Sequence, residues 1–320
     1  MNSSLPEAAT IENPRFFQVQ PQEDGLRLDH YLVRLLPEQS RSALDRLIRS
    51  GHILVNSSQV KPGCKLRPED RISVALRAPS AEERPQPQPV EFDILFEDQH
   101  LAVISKPPGV VAHPAAGHAD GTLVNGLLHR YSELAAADSD RPGLVHRLDK
   151  DTSGIMLAAR TETAQRLLTA AFKERQIRKT YHALLLRSPA TDRGRIDAPI
   201  GRHPVNRQKM AVRQRDGRYA VTNWQIRERF ANGCCLAEIA IETGRTHQIR
   251  VHLASIGAPV LGDTLYGGSS RTVQAERQLL HASELAFVHP ITGESCRFTA
   301  PLWPDMAATL ALLREQHRLA

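Results

Sequence analysis

The sequence predicts an α+β protein in two modules, the larger one built on a mixed, largely antiparallel β-sheet. Three observations carry this. A proline-rich break, PSAEERPQPQPV at residues 79–90, divides the chain. Before it, leucines recur at helical spacing ahead of two short β-prone runs. After it, β-branched and aromatic runs outnumber helical ones, without a strict alternation of strand and helix. The 320 residues exceed the roughly 100–200 of one ordinary domain, which leaves room for a large domain and a small one.

Residues 1–23 are polar, carry three prolines and show no sustained apolar period, so they are expected to form a flexible tail. Residues 24–78 form the small module. Leu28, Leu32, Leu35 and Leu36 mark one helix, which Pro37 stops. Ser40 is placed to cap a second helix carrying Leu44, Leu47 and Ile48, and Gly51 ends it. The strands HILVN and RISVAL follow, joined through a turn at Lys61, Pro62 and Gly63. Arg41, Arg46 and Arg49 lie off the apolar stripe, with Arg34, Lys61, Lys65 and Arg67 nearby. Such a face either grips phosphates or is simply solvated. Residues 79–90 read as an extended linker, because alternating proline and polar residues favour it.

Residues 91–320 form the large module. FDILFEDQHLAVISKPPG reads as a β-hairpin, residues 164–172 as an amphipathic helix, and KTYHALLL, RYAVTNWQI and CCLAEIAIE as strands. The net charge of +6 and a pI near 9.3 favour an anionic partner. No run approaches the roughly 20 apolar residues of a membrane span, and the N-terminus lacks the pattern of a secretory signal, so a cytoplasmic protein is expected, away from membranes. It is expected to be monomeric, since no heptad pattern is evident. Cys64, Cys234, Cys235 and Cys296 show no C-x-x-C spacing and read as free thiols.

Phosphate-binding, dinucleotide-binding, zinc-protease and nucleophile-elbow motifs are absent. Two dense clusters remain, VHRLDKDTSG at residues 145–154 and ETGRTHQIRVH at residues 242–252. Considered alone, Asp149 serves as a helix cap, an ion-pair member or a carboxylate for nucleophilic or general-base work. Arg245, His247, Arg250 and His252 fall at the end of a strand and the start of a helix, where backbone donors suit phosphate. His247 and His252 are five apart, a poor spacing for two ligands on one helical face, so no metal is expected. A hydrolase triad from Ser153, His146 and Asp149 is disfavoured by their closeness in sequence.

The stretches GLRLDHYL, SRSALDRLIRSGHILVN and DRISV resemble the S4 RNA-binding domain over most of residues 25–76. HRLDKDTSG, RKTYHAL, TGRTHQIRVHL and PVLGDTLYG resemble the RluA family of RNA pseudouridine synthases over about residues 91–303. With PIGRHPVNRQKMAV at residues 199–212, the chain looks most like the RluD branch, which modifies large-subunit ribosomal RNA.

The resemblance implies a catalytic domain of the pseudouridine synthase type, with no cofactor, acting on 23S ribosomal RNA as partner. Transfer RNA is the open alternative, as is a non-catalytic, ribosome-assembly role. By the HRLD motif, Asp149 would be the catalytic carboxylate and Arg147 the residue filling the space left by a flipped base. Tyr181 would stack on the uracil, and Arg245 would be the basic partner of Asp149. His203, Arg207 and Lys209 would hold RNA phosphates. Leu265 and Tyr266 line the pocket or form a packed turn.

Overall fold

The computed structural model describes residues 14–37, 39, 41–75, 85–114, 118, 120–136 and 141–318, without the side chains of residues 41, 42, 317 and 318. Residues 1–13 of the expected tail, the Ser40 cap and residues 79–84 of the expected linker lie outside the described residues. The chain divides into two units, Met1–Arg84 and Pro85–Ala320.

In the first unit, strand β1 (Arg15–Gln18) precedes helices α1 (Leu28–Leu35) and α2 (Arg41–Arg49), then strands β2 (Ile53–Val55), β3 (Ser58–Gln59) and β4 (Arg71–Val74). The helices bury Leu28, Leu32, Leu44 and Ile48 at helical spacing. Ile53 and Val55 of β2, and Ile72 and Val74 of β4, meet them with the period of two that a half-buried strand requires. Asn56 and Ser57, at φ 50° and 64°, provide the two left-handed positions of a tight hairpin between β2 and β3. The antiparallel order is β1-β4-β2-β3.

Strand β1 corrects the expected tail. Residues 15–18 pair with β4, Phe17 packs on the core and Val19 is fully buried. The signal was only two inward side chains, Phe17 and Val19, beside an outward Phe16 that is 66% exposed.

The second unit begins with the hairpin β5 (Asp93–Glu97) and β6 (Leu101–Lys106), followed by α3 (Leu123–Arg130), β7 (Ser153–Ala159), α4 (Glu162–Lys173) and β8 (Arg178–Leu185). Next come β9 (Arg193–Asp197), the small hairpin β10 (Ile200–Arg202) and β11 (Met210–Val212), then β12 (Val221–Arg229) and β13 (Cys235–Ile241). Helix α5 (Gln248–Ser255), strands β14 (Leu280–Val288) and β15 (Ser295–Thr299), and helix α6 (Pro304–Arg318) complete it. Among the described residues a nine-stranded sheet runs β5-β6-β7-β14-β8-β13-β12-β9, with β15 also on β14. Every pairing in it is antiparallel except β7 with β14.

All seven residues of β7 are buried, as befits a central strand covered on both faces. The β7–β14 junction is unusually close. A Cβ on Gly154, at φ 111°, would stand 2.1 Å from the Ala282 carbonyl oxygen, so only glycine fits. Since Asp149 lies five residues earlier, this seam fixes where the HRLD segment enters the sheet.

Candidate active site

The segment from Val145 to Thr152 reaches β7 without regular structure of its own, and its shape is set by groups that take its backbone carbonyls. The Lys106 ammonium donates to the carbonyls of Pro107 (2.6 Å), Val110 (3.0 Å) and Lys150 (2.9 Å). Burial pulls the Lys106 pKa down to about 7, against the Asp151 carboxylate. Three carbonyls match the three N–H groups of the charged form, so the ammonium is the form the loop is built around.

Arg277 donates to the Asp151 carbonyl (2.8 Å) and the Ser153 hydroxyl (3.2 Å), and is itself held by both oxygens of Asp305 on α6 (2.6 and 2.7 Å). His146 accepts from the Leu157 N–H at 2.8 Å and stacks on Phe172. Burial, followed by the charge of Lys179, takes its pKa down to about 3. A ring nitrogen that must accept cannot be protonated, so His146 is a neutral brace. Ser153 is buried against His281 (3.0 Å), so the hydrolase triad does not assemble.

The second cluster turns sharply before α5. His247 is left-handed at φ 55°, and the buried Gln248 amide oxygen accepts from the Thr243 hydroxyl (2.7 Å) and the Arg245 N–H (3.0 Å). This turn separates the two arginines. Arg250, one turn into α5, points back to Asp149 at 3.2 Å and forms a bidentate pair with Asp263 at 2.6 and 2.9 Å. Its side chain is 8% exposed, that of Asp263 1% and that of Asp149 18%.

Arg245 therefore does not fill the role expected of it. Its Nε donates to the Tyr219 carbonyl at 3.1 Å, and the basic partner of Asp149 is Arg250. Sequence spacing could not choose between them, because the choice is made by the left-handed His247.

Arg147, Asp149, Thr152, Tyr181, Arg245, His247 and Arg250 nevertheless line one pocket. Tyr181 is 6% exposed, between β14 and β13; burial, then the Asp149 charge, raises its pKa and keeps its hydroxyl protonated. Arg147 is exposed at the pocket. The buried Thr152 hydroxyl has no hydrogen-bond partner among the described residues.

Tyr266, left out of the expected catalytic set, has a clear place. Its hydroxyl accepts from the Met210 N–H (2.8 Å) and shares a hydrogen bond with His247 Nδ1 (2.9 Å), tying the β10–β11 hairpin to the pocket. Its ring lies 5.1 Å from the Arg250 guanidinium carbon. Lys209 also stands 6.0 Å over this ring, and Arg207 is exposed in the same hairpin. His203 is partly committed, because its Nδ1 accepts from the Val205 and Asn206 N–H groups at 3.2 and 3.0 Å.

His252 uses both ring nitrogens on Thr222 and Ala198. Among the described residues no group of three or more His, Cys, Asp or Glu is placed to hold a metal ion. No described helix is long and apolar enough to cross a membrane. In the first unit, Arg46 and Arg49 are exposed, with Arg49 paired to Asp45 at 2.6 Å; the Arg41 side chain lies outside the described residues.

Residues 100–255 match the RNA pseudouridylate synthase family and residues 26–72 the S4 domain. Over 303 residues the chain is 45% identical to the ribosomal large subunit pseudouridine synthase D of Xanthomonas campestris, spanning 91% of this chain and 90% of that relative. The chain belongs to the RNA pseudouridylate synthase family. It is similar over 308 residues, at 42% identity, to the enzyme of the same name from Pseudomonas aeruginosa, covering 91% of this chain and 93% of that one. Among solved structures, human RNA pseudouridylate synthase domain containing 4 aligns with a TM-score of 0.56 at 27% identity, over 69% of this chain and 93% of that one. A pseudouridylate synthase is an isomerase, and the α+β fold with its largely antiparallel sheet is the one its structural relatives carry. Its S4 domain occupies the first unit.

Proposed function

We propose that this pseudouridylate synthase converts specific uridines of structured large-subunit (23S) ribosomal RNA to pseudouridine, with Asp149 acting on a nucleotide flipped out of the RNA. The observation that carries the proposal is the Asp149 carboxylate facing a pocket, held by an arginine that Asp263 locks in place. The reaction breaks the bond from N1 to C1′, turns the uracil and joins C5 to C1′; N1 gains a proton and C5 loses one. A carboxylate fixed before substrate arrives needs no reorganisation during the step.

Tyr181 provides the ring against which the uracil stacks, offsetting an unstacking cost of a few kcal/mol. Arg147, exposed at the pocket, enters the gap left by the base. Arg250 holds Asp149, the task first expected of Arg245. Arg207 and Lys209 contact phosphates, with His203 shaping their turn. Residues 24–78 act as the RNA-binding module through Arg41, Arg46 and Arg49, and residues 91–320 as the catalytic module. The large-subunit substrate is supported by the names of the relatives. This reading puts the enzyme with ribosomal RNA in the cytoplasm, as a monomer.

The test is to incubate the purified protein with unmodified large-subunit and transfer RNAs and map pseudouridines by a chemical adduct readout. Pseudouridine in large-subunit RNA is the expected result. Modification confined to transfer RNA would replace the substrate, and tight RNA binding without any pseudouridine would overturn the catalytic reading.

A further inference from the structure

Arg245, displaced from the carboxylate, stands among like charges. Its Nε is spent on the Tyr219 carbonyl, and its two terminal nitrogens have no acceptor among the described residues. The neighbouring charges are Arg218 and Arg175, which, after burial, depress its pKa. Arg218 and Arg175 are exposed and likewise have no hydrogen-bonded carboxylate among the described residues. Glu242 lies within electrostatic reach of Arg175, but it is already bound by Arg195 and Asn223. Three guanidinium groups whose one nearby carboxylate is engaged elsewhere repel one another.

The backbone adds a second cost. Arg175 follows the end of α4 at φ 61°, a position that glycine ordinarily takes. In this conformation its guanidinium lies 5.0 Å over the ring of Tyr219, which is itself 44% exposed. An arginine in a strained conformation over an exposed tyrosine, beside two more arginines and a catalytic pocket, is accounted for if an anion completes the group.

We propose that Arg175, Arg218 and Arg245 form an anion site that holds a backbone phosphodiester of the RNA strand next to the nucleotide taken into the Asp149 pocket, with Tyr219 as its shelf. The proposal rests on the RNA substrate inferred above. Arg245 is shared: it lines the pocket, it is within electrostatic reach of its two neighbours, and its Nε meets the carbonyl of the Tyr219 over which Arg175 lies. The site therefore fixes the distance between the held phosphate and the reacting sugar, which is how a positioning contact contributes to rate.

The test uses the full chain with unmodified large-subunit ribosomal RNA, measuring affinity over a range of potassium chloride and melting temperature in parallel. Arg175→Gly and Arg218→Gln should each weaken binding several-fold and flatten the salt dependence by about 0.9 in the log–log slope, the increment of one released counterion. Arg218→Lys should restore the slope, because a phosphate accepts a point charge. Arg227→Gln, whose parent pairs with Glu238, should leave it unchanged. Arg175→Gly should also melt no lower than the parent, since glycine relieves the left-handed backbone and one repulsion goes with the side chain. An unchanged slope in both variants would overturn the site, as would a lower melting temperature with unchanged RNA affinity, which would make Arg175 a brace for Tyr219. Binding is read without turnover. A wild-type protein that makes no pseudouridine while the slopes still flatten would sink the catalytic reading and leave the anion site standing.

Discussion

The floor and the rim of the pocket are both rich in arginine, and they treat it in opposite ways. On the floor Arg250 lies between two carboxylates; Arg277, which holds the Asp149 segment without lining the pocket, lies between a carboxylate and a backbone carbonyl, and each is almost fully buried. On the rim, Arg147 and Arg245, with Arg175 and Arg218 within electrostatic reach of Arg245, make no ion pair among the described residues. Burying a charge is tolerated only when it is paired and hydrogen-bonded, so the floor is complete before any substrate binds. The rim is incomplete as it stands. The first arrangement is suited to orienting a group and the second to receiving one, so what already surrounds an arginine decides which of the two it can do.

Breaking the floor should separate chemistry from binding most sharply. Asp149→Asn is expected to lower the rate of pseudouridine formation at least about 10⁴-fold, or some 5 kcal/mol in the barrier, with RNA affinity within a few-fold of the parent. Rapid-quench turnover and filter binding on the same preparation would check this, and loss of both together would place Asp149 on the rim. Asp263→Asn should be next in size. It leaves Arg250 buried with one carboxylate, a change costing about 3 kcal/mol of stability in other buried pairs, visible in a denaturant melt and accompanied by a lower rate at saturating RNA.

A third prediction concerns pH. The His146 pKa falls from 6.5 to about 3 on folding, so between those values the unfolded chain binds more protons than the folded one. Its contribution to stability is therefore present above about pH 6.5 and is lost as the pH falls toward 3. The unfolding free energy of the parent should decline over that window, and His146→Gln should decline less steeply; parallel curves would mean that the ring is not buried neutral. The smallest effect is expected on the rim. Arg207→Ala with Lys209→Ala should weaken RNA binding several-fold and reduce the salt slope by up to about two units, with saturated turnover unchanged. A fall in saturated turnover would show that the hairpin acts through Tyr266 on the floor.

Much of this fold is legible because half-buried strands alternate and amphipathic helices repeat. β4 and α4 are found that way; β13 is found by its β-branched and aromatic bias, and β5 and β6 as two apolar runs about a polar turn, although β6 is itself fully buried. The fully buried β7 has no alternation to read, and β1 turns too few side chains inward to stand out. The site divides similarly. HRLD and KTY stand in the sequence as motifs, and the pocket does bring Asp149, Arg147 and Tyr181 together. Which arginine meets Asp149 is decided by the φ of His247 and by Asp263, thirteen residues beyond Arg250. Neither leaves a local pattern. The supports at Lys106 and Arg277 act on backbone carbonyls, and such contacts carry no signature in the residues they hold.

The clamp from Asp305 through Arg277 to the Asp151 carbonyl also has a temporal meaning. During synthesis the Asp149 segment emerges long before β14 and α6, the elements that supply its parallel neighbour strand and its clamp. Contacts so distant along the chain form only after the intervening loops have closed. Among the described residues, the core of the first unit is drawn from residues 17–74, all of which emerge before the Asp149 segment. A nascent chain thus has the whole core of its S4 unit in hand while the Asp149 loop still lacks its neighbour strand and its clamp.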